Sequence, residues 1–311
     1  MTVPVCTLRL LVLAVIFVNG WTDAPNSIAT AVGTGALSFR RAAALAAAGN
    51  FAGCVLACLL FPAVAGTVGG LAVFPHPGDG VRALCAAMLS VVVWAVLAWR
   101  FGLPTSESHA LLAALSGAAL ALGPGAALLR PAPWLRALAG LALSLPAGAL
   151  AARLCRRWLA RRPCNPPAWQ RVSAAVMAFL HGAQDGQKFL ALLLLAGGSR
   201  PAPLLPLLLL TAAVMAAGTA LGGRPIVEKV GSQLSLLSPR EGLAADLGAG
   251  LVLAGCSLLG LPASTTHTRV AAVLGAGRRP NPRPALEMAA AWLLTFPCCA
   301  GLAFALTRLM G

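Results

Sequence analysis

Charge is scarce in this chain. Only 10% of its 311 residues are Asp, Glu, Lys or Arg, against roughly 25% in soluble domains, and the acids number eight. That scarcity excludes an ordinary soluble domain. With 59% hydrophobic residues and a mean hydropathy of +0.85, the composition points to a polytopic membrane protein. Polar alternation of the kind a transmembrane barrel needs is absent too. No Walker-type phosphate loop occurs, which excludes an ATP-driven machine within this chain alone. No CxxC pair stands at metal-ligand spacing among the nine cysteines, and Cys54, Cys58, Cys85, Cys256, Cys298 and Cys299 lie in apolar runs. Neither a zinc site nor a disulfide framework is indicated.

What is present is a series of apolar segments, at about 4–19, 26–38, 42–65, 81–101, 106–123, 132–152, 172–198, 202–222, 243–259, 264–276 and 285–307. Lipid leaves backbone groups no partner outside a helix, so all are read as helical, giving about ten membrane segments. The first run, Leu10 to Val18, has only Arg9 before it and no small-residue cleavage site, so it is read as a span rather than a signal peptide. The net charge of +15 raises the question of nucleic acid, but the arginines sit between apolar segments rather than on one face. Topology accounts for them instead. Arg40 and Arg41, the run Arg153 to Arg171, the set Arg224, Lys229 and Arg240, and the set Arg278, Arg279 and Arg283 fall on one side. Arg9, Arg82, Arg130, Arg136, Arg200 and Arg308 fall on the other, in smaller number. The bias puts a basic connecting loop, 153–171, in the cytoplasm and the N-terminus outside.

Two pairs of polar motifs interrupt the apolar runs. GWTDAPN, Gly20 to Asn26, aligns with GAQDGQK, Gly182 to Lys188; GLPTSESH, Gly102 to His109, aligns with GLPASTTH, Gly260 to His267. Asp185 follows Asp23, and Gly260 follows Gly102, at nearly the same interval of about 160 residues. The chain is therefore read as a duplicated half: residues 1–152 and 172–311 around the 153–171 loop. The charge map orients the halves oppositely, an inverted-topology repeat with broken helices or re-entrant hairpins, as in many secondary transporters.

Three of the eight acids, Asp23, Glu107 and Asp185, fall inside these motifs, as do His109, His181 and His267. An ionisable residue at membrane depth is costly and usually functional. His181 alone could equally satisfy a carbonyl in helix packing. After each Gly-Leu-Pro break, Ser106-Glu107-Ser108 and Ser264-Thr265-Thr266 place hydroxyls and freed N–H groups at a helix N-terminus, an anion-binding arrangement; helix–helix packing is the alternative. Pro25 removes one backbone donor and frees a carbonyl for a cation.

These four motifs resemble the inorganic phosphate transporter (PiT) family, whose G-x-x-D-x-x-N signature occurs once per half, in its bacterial branch. The resemblance runs from about Asn19 to Ala276. It implies a secondary active symporter of the plasma membrane, the bacterial inner membrane, carrying inorganic phosphate inward with a cation and needing no organic cofactor. Carried over, phosphate would be held by Asp23, Asn26, Ser106, Ser108, Asp185, Ser264, Thr265 and Thr266. Cation or proton coupling would fall to Thr22, Asp23, Glu107, Gln184, Asp185 and Lys188. Where many sodium-coupled members have Asn before Asp, this chain has Thr22 and Gln184, and Lys188 stands where the first copy has Asn26. A lysine ammonium can replace a bound sodium ion, and Glu107 can take a proton, so proton coupling is favoured, with phosphate as a divalent-metal complex left open. Lys188 is expected beside Asp185, three residues earlier on one helix face; snorkelling to the cytoplasmic interface is the alternative. Another oxyanion such as sulfate remains a rival substrate. An intramembrane hydrolase is disfavoured, because a triad needs one asymmetric nucleophile–base pair whereas each motif here occurs twice. Phosphate, a coupling cation and lipid are the expected partners, nucleic acid is not, and a homo-oligomer is left open.

Overall fold

The computed structural model describes residues 5–123, 128–196 and 203–311; Pro4, Arg200 and the segment ends at 197–198 and 202 lie outside the described residues. Helix α1 (Val5–Thr22) passes through a 3₁₀ turn (Ala24–Ile28) into short α2 (Ala29–Gly33). Then come α3 (Phe39–Leu60), short α4 (Ala63–Gly69), α5 (Pro77–Arg100), α6 (Glu107–Leu122) and α7 (Pro131–Leu159). The second part holds α8 (Pro166–Leu195), α9 (Leu204–Leu221), short α10 (Arg224–Glu228) with a π turn (Lys229–Gln233), α11 (Pro239–Leu258), α12 (Thr265–Ala276) and α13 (Pro282–Leu309). The only sheet among the described residues is an antiparallel pair of two-residue strands, Ala72–Val73 and Leu128–Leu129. Five of the long helices open on proline, whose missing N–H and preset backbone angle suit a first helical position.

Among the described residues, seven helical stretches are long and apolar enough to cross a bilayer, fewer than the ten or so expected. The difference has three causes. The segment expected at 26–38 is not separate: its helical part completes one interrupted span, Val5–Gly33. Helices α6 and α12 are short, at 16 and 12 residues. Helix α8 is long, but Gln184, Asp185, Gln187 and Lys188 dilute its apolar centre. The basic segment 153–171 is mostly helix rather than loop: α7 carries Arg153, Arg156 and Arg157 on its last turns and α8 carries Arg171 on its first. Arginines at a helix C-terminus complement its dipole, so the helix continues where composition alone suggests a break.

Packing is reciprocal between the two parts of the chain. Helix α1 lies on α9 while α8 lies on α3, and α6 lies on α13 while α12 lies on α7. Glycine sets these crossings. A Cβ on Gly20 would fall 2.2 Å from the Met215 carbonyl oxygen, and one on Gly218 would fall 2.1 Å from that of Phe17. In the other crossing, a Cβ on Gly182 would fall 2.2 Å from Asn50 O and one on Gly53 1.9 Å from Phe179 O. Small residues let backbones approach this closely in membrane helix pairs. Gly20 and Gly182 are the glycines of the two Asp motifs, so each motif carries its own crossing point.

The Gly-Leu-Pro breaks have a common geometry. Gly102 and Gly260 both take φ +64°, the left-handed region that glycine enters without strain. Leu103 N donates to Ala98 O and Leu261 N to Cys256 O, while Gly102 N donates to Trp99 O and Gly260 N to Ser257 O. These are Schellman caps ending α5 and α11, and the prolines that follow stop either helix from continuing. Five residues after each glycine α6 and α12 begin in the protein interior.

The crossing can be tested directly. Gly182→Ala should destabilise the detergent-purified protein by about 1–3 kcal/mol through overpacking against Asn50, read as a lowered thermal midpoint. Gly66→Ala, where an added Cβ meets nothing within 4 Å, should leave the midpoint unchanged or raised. Equal midpoints for the two variants would remove the crossing as a constraint.

Candidate functional site

The starts of α6 and α12 are built alike. Ser106 Oγ accepts from His109 N at 3.2 Å and Ser264 Oγ from His267 N at 3.0 Å, so each serine caps its own helix. The two tips touch: Ser108 Oγ donates to Ala263 O at 3.2 Å, and the rings of His109 and His267 meet edge to face, 5.8 Å between centroids. These histidines face each other and the aromatic side chains of α13, Phe296 and Trp292, rather than the carboxylates.

Around the tips the motif residues form two matching half-sites. In one, the Asn26 amide donates to Asp23 Oδ1 at 3.0 Å and to Thr266 Oγ1 at 3.2 Å. Thr265 donates to Asp23 Oδ2 at 3.2 Å, and Thr266 donates to Asp23 Oδ1. In the other, the Lys188 ammonium donates to Asp185 Oδ1 and Ser108 Oγ, each at 2.5 Å, and to Ala263 O at 2.8 Å. Asn26 with Asp23 and Thr266 thus corresponds, position for position, to Lys188 with Asp185 and Ser108. Lys188 is 2% exposed, so it does not snorkel to an interface. Glu107 joins the half-sites, accepting from Thr22 Oγ1 at 3.3 Å through Oε1, while its Oε2 is buried without a hydrogen-bond partner among the described residues. Gln184 turns away from the carboxylates: its oxygen accepts from Ala263 N at 3.4 Å and its amide reaches Leu253 O and Leu261 O, bracing the second tip.

Several participants are not among the residues assigned to phosphate or cation from sequence. Asn19 donates to Asp185 Oδ2 at 2.9 Å, and His181 stands between Asn50 Oδ1 at 2.9 Å and Asp185 Oδ2 at 3.3 Å. Gln187 accepts from the N–H groups of Val64 and Ala65 at 3.0 and 3.3 Å, satisfying orphan donors at the start of α4. One oxygen from each aspartate and one nitrogen of His181 lie within 4.8 Å of one another. That trio could hold a cation, although sequence reading assigned no metal site.

Charge decides what the centre can do. Asp23, Glu107 and Asp185 are all buried, and among the described residues Lys188 is the one lysine or arginine contacting them. Burying unpaired charge is prohibitive, so the remaining negative charge has to be met by protons or cations. The first-turn N–H groups of α6 and α12 have no intrahelical acceptor and point with their dipoles at the same centre. Anion-directed donors and cation-demanding carboxylates therefore share one buried place.

Comparison with known proteins agrees with this geometry. A family model described as "Phosphate transporter family" matches residues 19–163 and 166–303. A Bacillus subtilis protein named "Probable low-affinity inorganic phosphate transporter" is 32% identical over 93% of this chain and 92% of its own length. A Rhizobium meliloti protein of the same name is 34% identical, covering 91% and 90%. A solved structure described as "The sodium-dependent phosphate transporter" superposes with a TM-score of 0.84 over 98% of both chains, at 20% identity, a likeness of fold.

The Lys188–Asp185 pair predicts a stability pattern. Lys188→Met should cost about 3–5 kcal/mol, because it strands a buried carboxylate, and Asp185→Asn/Lys188→Met should recover part of that loss. Thermal unfolding of the purified variants reads both. A double variant no more stable than Lys188→Met would mean that the pair is not coupled.

Proposed function

The chain belongs to the phosphate transporter family, and from that premise we propose that it imports inorganic phosphate as a secondary active symporter, with the proton favoured as coupling cation. The observation that carries this reading is the convergence of two capped helix N-termini on a buried pair of aspartates. The free N–H groups and hydroxyls of the tips suit a phosphate oxyanion. The anion cannot enter beside Asp23, Asp185 and Glu107 unless positive charge enters with it, and this is the physical basis of coupling.

The reciprocal packing and the matched half-sites support two inverted-topology repeats, 1–152 and 172–311, with the breaks at the midplane. On the charge bias of the connections, the N-terminus lies outside and the chain sits in the bacterial inner membrane. Proton over sodium rests on Lys188: its ammonium takes three oxygen contacts of the kind a bound monovalent ion would take. Glu107, with one oxygen unpartnered, is the acid best placed to accept the mobile proton. A divalent metal could enter with the phosphate, which chelation of external metal during the uptake assay would reveal as lost transport.

Two outcomes test the reading. Proteoliposomes should accumulate labelled phosphate, arsenate should compete and sulfate should not, and Asp23→Asn and Asp185→Asn should each abolish uptake while the protein remains folded. Sulfate uptake in place of phosphate, or near-normal transport by either variant, would sink the assignment. Independently, uptake should rise at acid external pH, persist in sodium-free buffer and fall with a protonophore. A sodium requirement that ignores the protonophore would reject proton coupling and leave phosphate import standing.

A further inference from the structure

Beside the aspartates, on the far side of the 3₁₀ turn, lies a second buried polar centre that shares only Asn26 with the duplicated motifs. Arg269, on the second turn of α12 between Thr268 and Val270, is 1% exposed. Its guanidinium donates through Nε to Asn26 O at 3.1 Å, and through Nη2 to Ser27 O at 3.4 Å and Thr30 Oγ1 at 2.6 Å. Its Nη1 lies 2.6 Å from Asp246 Oδ1. Thr30 and Ser173 also donate to Asp246, at 2.6 and 2.5 Å, so the carboxylate is surrounded.

We propose that Arg269 is a tethered cation: it fills an oxygen-lined cation cage made by the carbonyls of Asn26 and Ser27, the Thr30 hydroxyl and the Asp246 carboxylate. Those four oxygens come from the broken span and from α11. They are the hard carbonyl, hydroxyl and carboxylate donors that sodium-, magnesium- or calcium-sized ions take. The Asn26 carbonyl already accepts from Ala29 N at the end of the 3₁₀ turn, and it offers a second lone pair to the guanidinium alongside the Ser27 carbonyl and the Thr30 hydroxyl. The guanidinium answers them with fixed planar donors and is less strongly hydrated than an ammonium, so it is the cheaper cation to bury. The cage exists in one half only. At the position corresponding to Arg269 the first half has Leu111, and at that corresponding to Thr30 the second has Leu192.

Asn26 joins the two centres. Its carbonyl is held by Arg269 while its amide donates to Asp23 and Thr266. Arg269 touches no transported species; it is a positioning residue that fixes the Asn26 amide against Asp23. This inference concerns cation occupancy of the fold and does not depend on which anion is carried.

Chemical rescue separates a tethered cation from a merely structural side chain. Detergent-purified Arg269→Ala should melt below the unaltered chain. Guanidinium chloride at low millimolar concentration, well below denaturing levels, should raise its midpoint saturably, with sodium and potassium chloride as further arms and choline chloride as the ionic-strength control. The unaltered chain and Arg269→Ala/Asp246→Ala, which has a filled cage or none, should not respond. A midpoint of Arg269→Ala that no cation raises beyond choline would overturn the proposal, as would an equal response in the double variant. Should Arg269→Ala fail to fold, charge and hydrogen bonding are separated by two milder changes. Arg269→Lys should retain the folded yield of the unaltered chain, whereas Arg269→Gln should lose about tenfold of it, since only the first keeps the charge opposite Asp246. Equal yields for these two would also overturn the proposal.

Discussion

A carboxylate buried among apolar helices has to be met by donors, and most of the architecture follows from meeting two of them. Asp23, at the junction of α1 with the 3₁₀ turn, and Asp185, on α8, are both buried, so their donors have to be other polar side chains. Asp23 takes them from a helix start brought into the interior, Thr265 and Thr266, and from Asn26; Asp185 takes them from Lys188 and Asn19, and Lys188 is in turn held by Ser108 Oγ and Ala263 O at the two tips. An interior helix start needs a preceding chain that ends one helix and begins another within a few residues. A left-handed glycine followed by Leu-Pro supplies that at both places. The hydroxyl tips, the glycine caps and the carboxylates are thus parts of one solution.

The same motifs solve a second problem. A span that carries Asp, Asn or Lys cannot be stabilised by apolar burial along its whole length, and α8 is too polar at its centre to count as an ordinary span. Close backbone approach compensates. Gly20 and Gly182, three residues before the aspartates, admit crossing helices to within van der Waals contact of backbone. This places Asn50, on the helix crossing at Gly182, within 2.9 Å of His181, which in turn reaches Asp185. The spacing G-x-x-D is therefore mechanical as well as chemical: the glycine admits the neighbour, and the aspartate one turn on shares the gap.

How much of this could be read from sequence differs by residue. Both Asp motifs and both Gly-Leu-Pro breaks stand out because they are polar or helix-breaking within apolar runs and recur at one interval. The Lys188–Asp185 contact followed from a three-residue helical spacing. Arg269 and Asp246 escaped notice because each is a single charge in an apolar segment and their partnership spans two helices, which no local pattern records. Their signal was present nonetheless: an arginine two residues after His267 cannot belong to a connecting loop, and an acid inside the 243–259 run needs a cation. The number of spans was overestimated for a related reason. Hydropathy counts apolar runs, whereas the 3₁₀ turn at Ala24–Ile28 joins two runs into one interrupted span and α6 and α12 are too short to cross. The arginines of 153–162 read as loop because composition cannot tell a basic helix end from a basic connection.

Two departures from two-fold equivalence add positive charge to the second part of the chain. Lys188 replaces the amide that Asn26 provides, and Arg269 has Leu111 as its counterpart, so both buried cations of the centre come from the second half. Fixed charges of this kind cannot leave with the substrate. Asp185 is paired with Lys188, and Asp246 with Arg269, so each of these carboxylates already has a fixed counter-charge beside it. Asp23 has only neutral donors, from Asn26, Thr265 and Thr266, and Glu107 only Thr22. On the proposed function, the charge that varies through a transport cycle therefore resides on Asp23 and Glu107. Tethered cations in the second half reduce the number of ions that must accompany each anion. On the same reading, the two parts of the chain share one geometry while the first carries the carboxylates left to exchange a proton or ion.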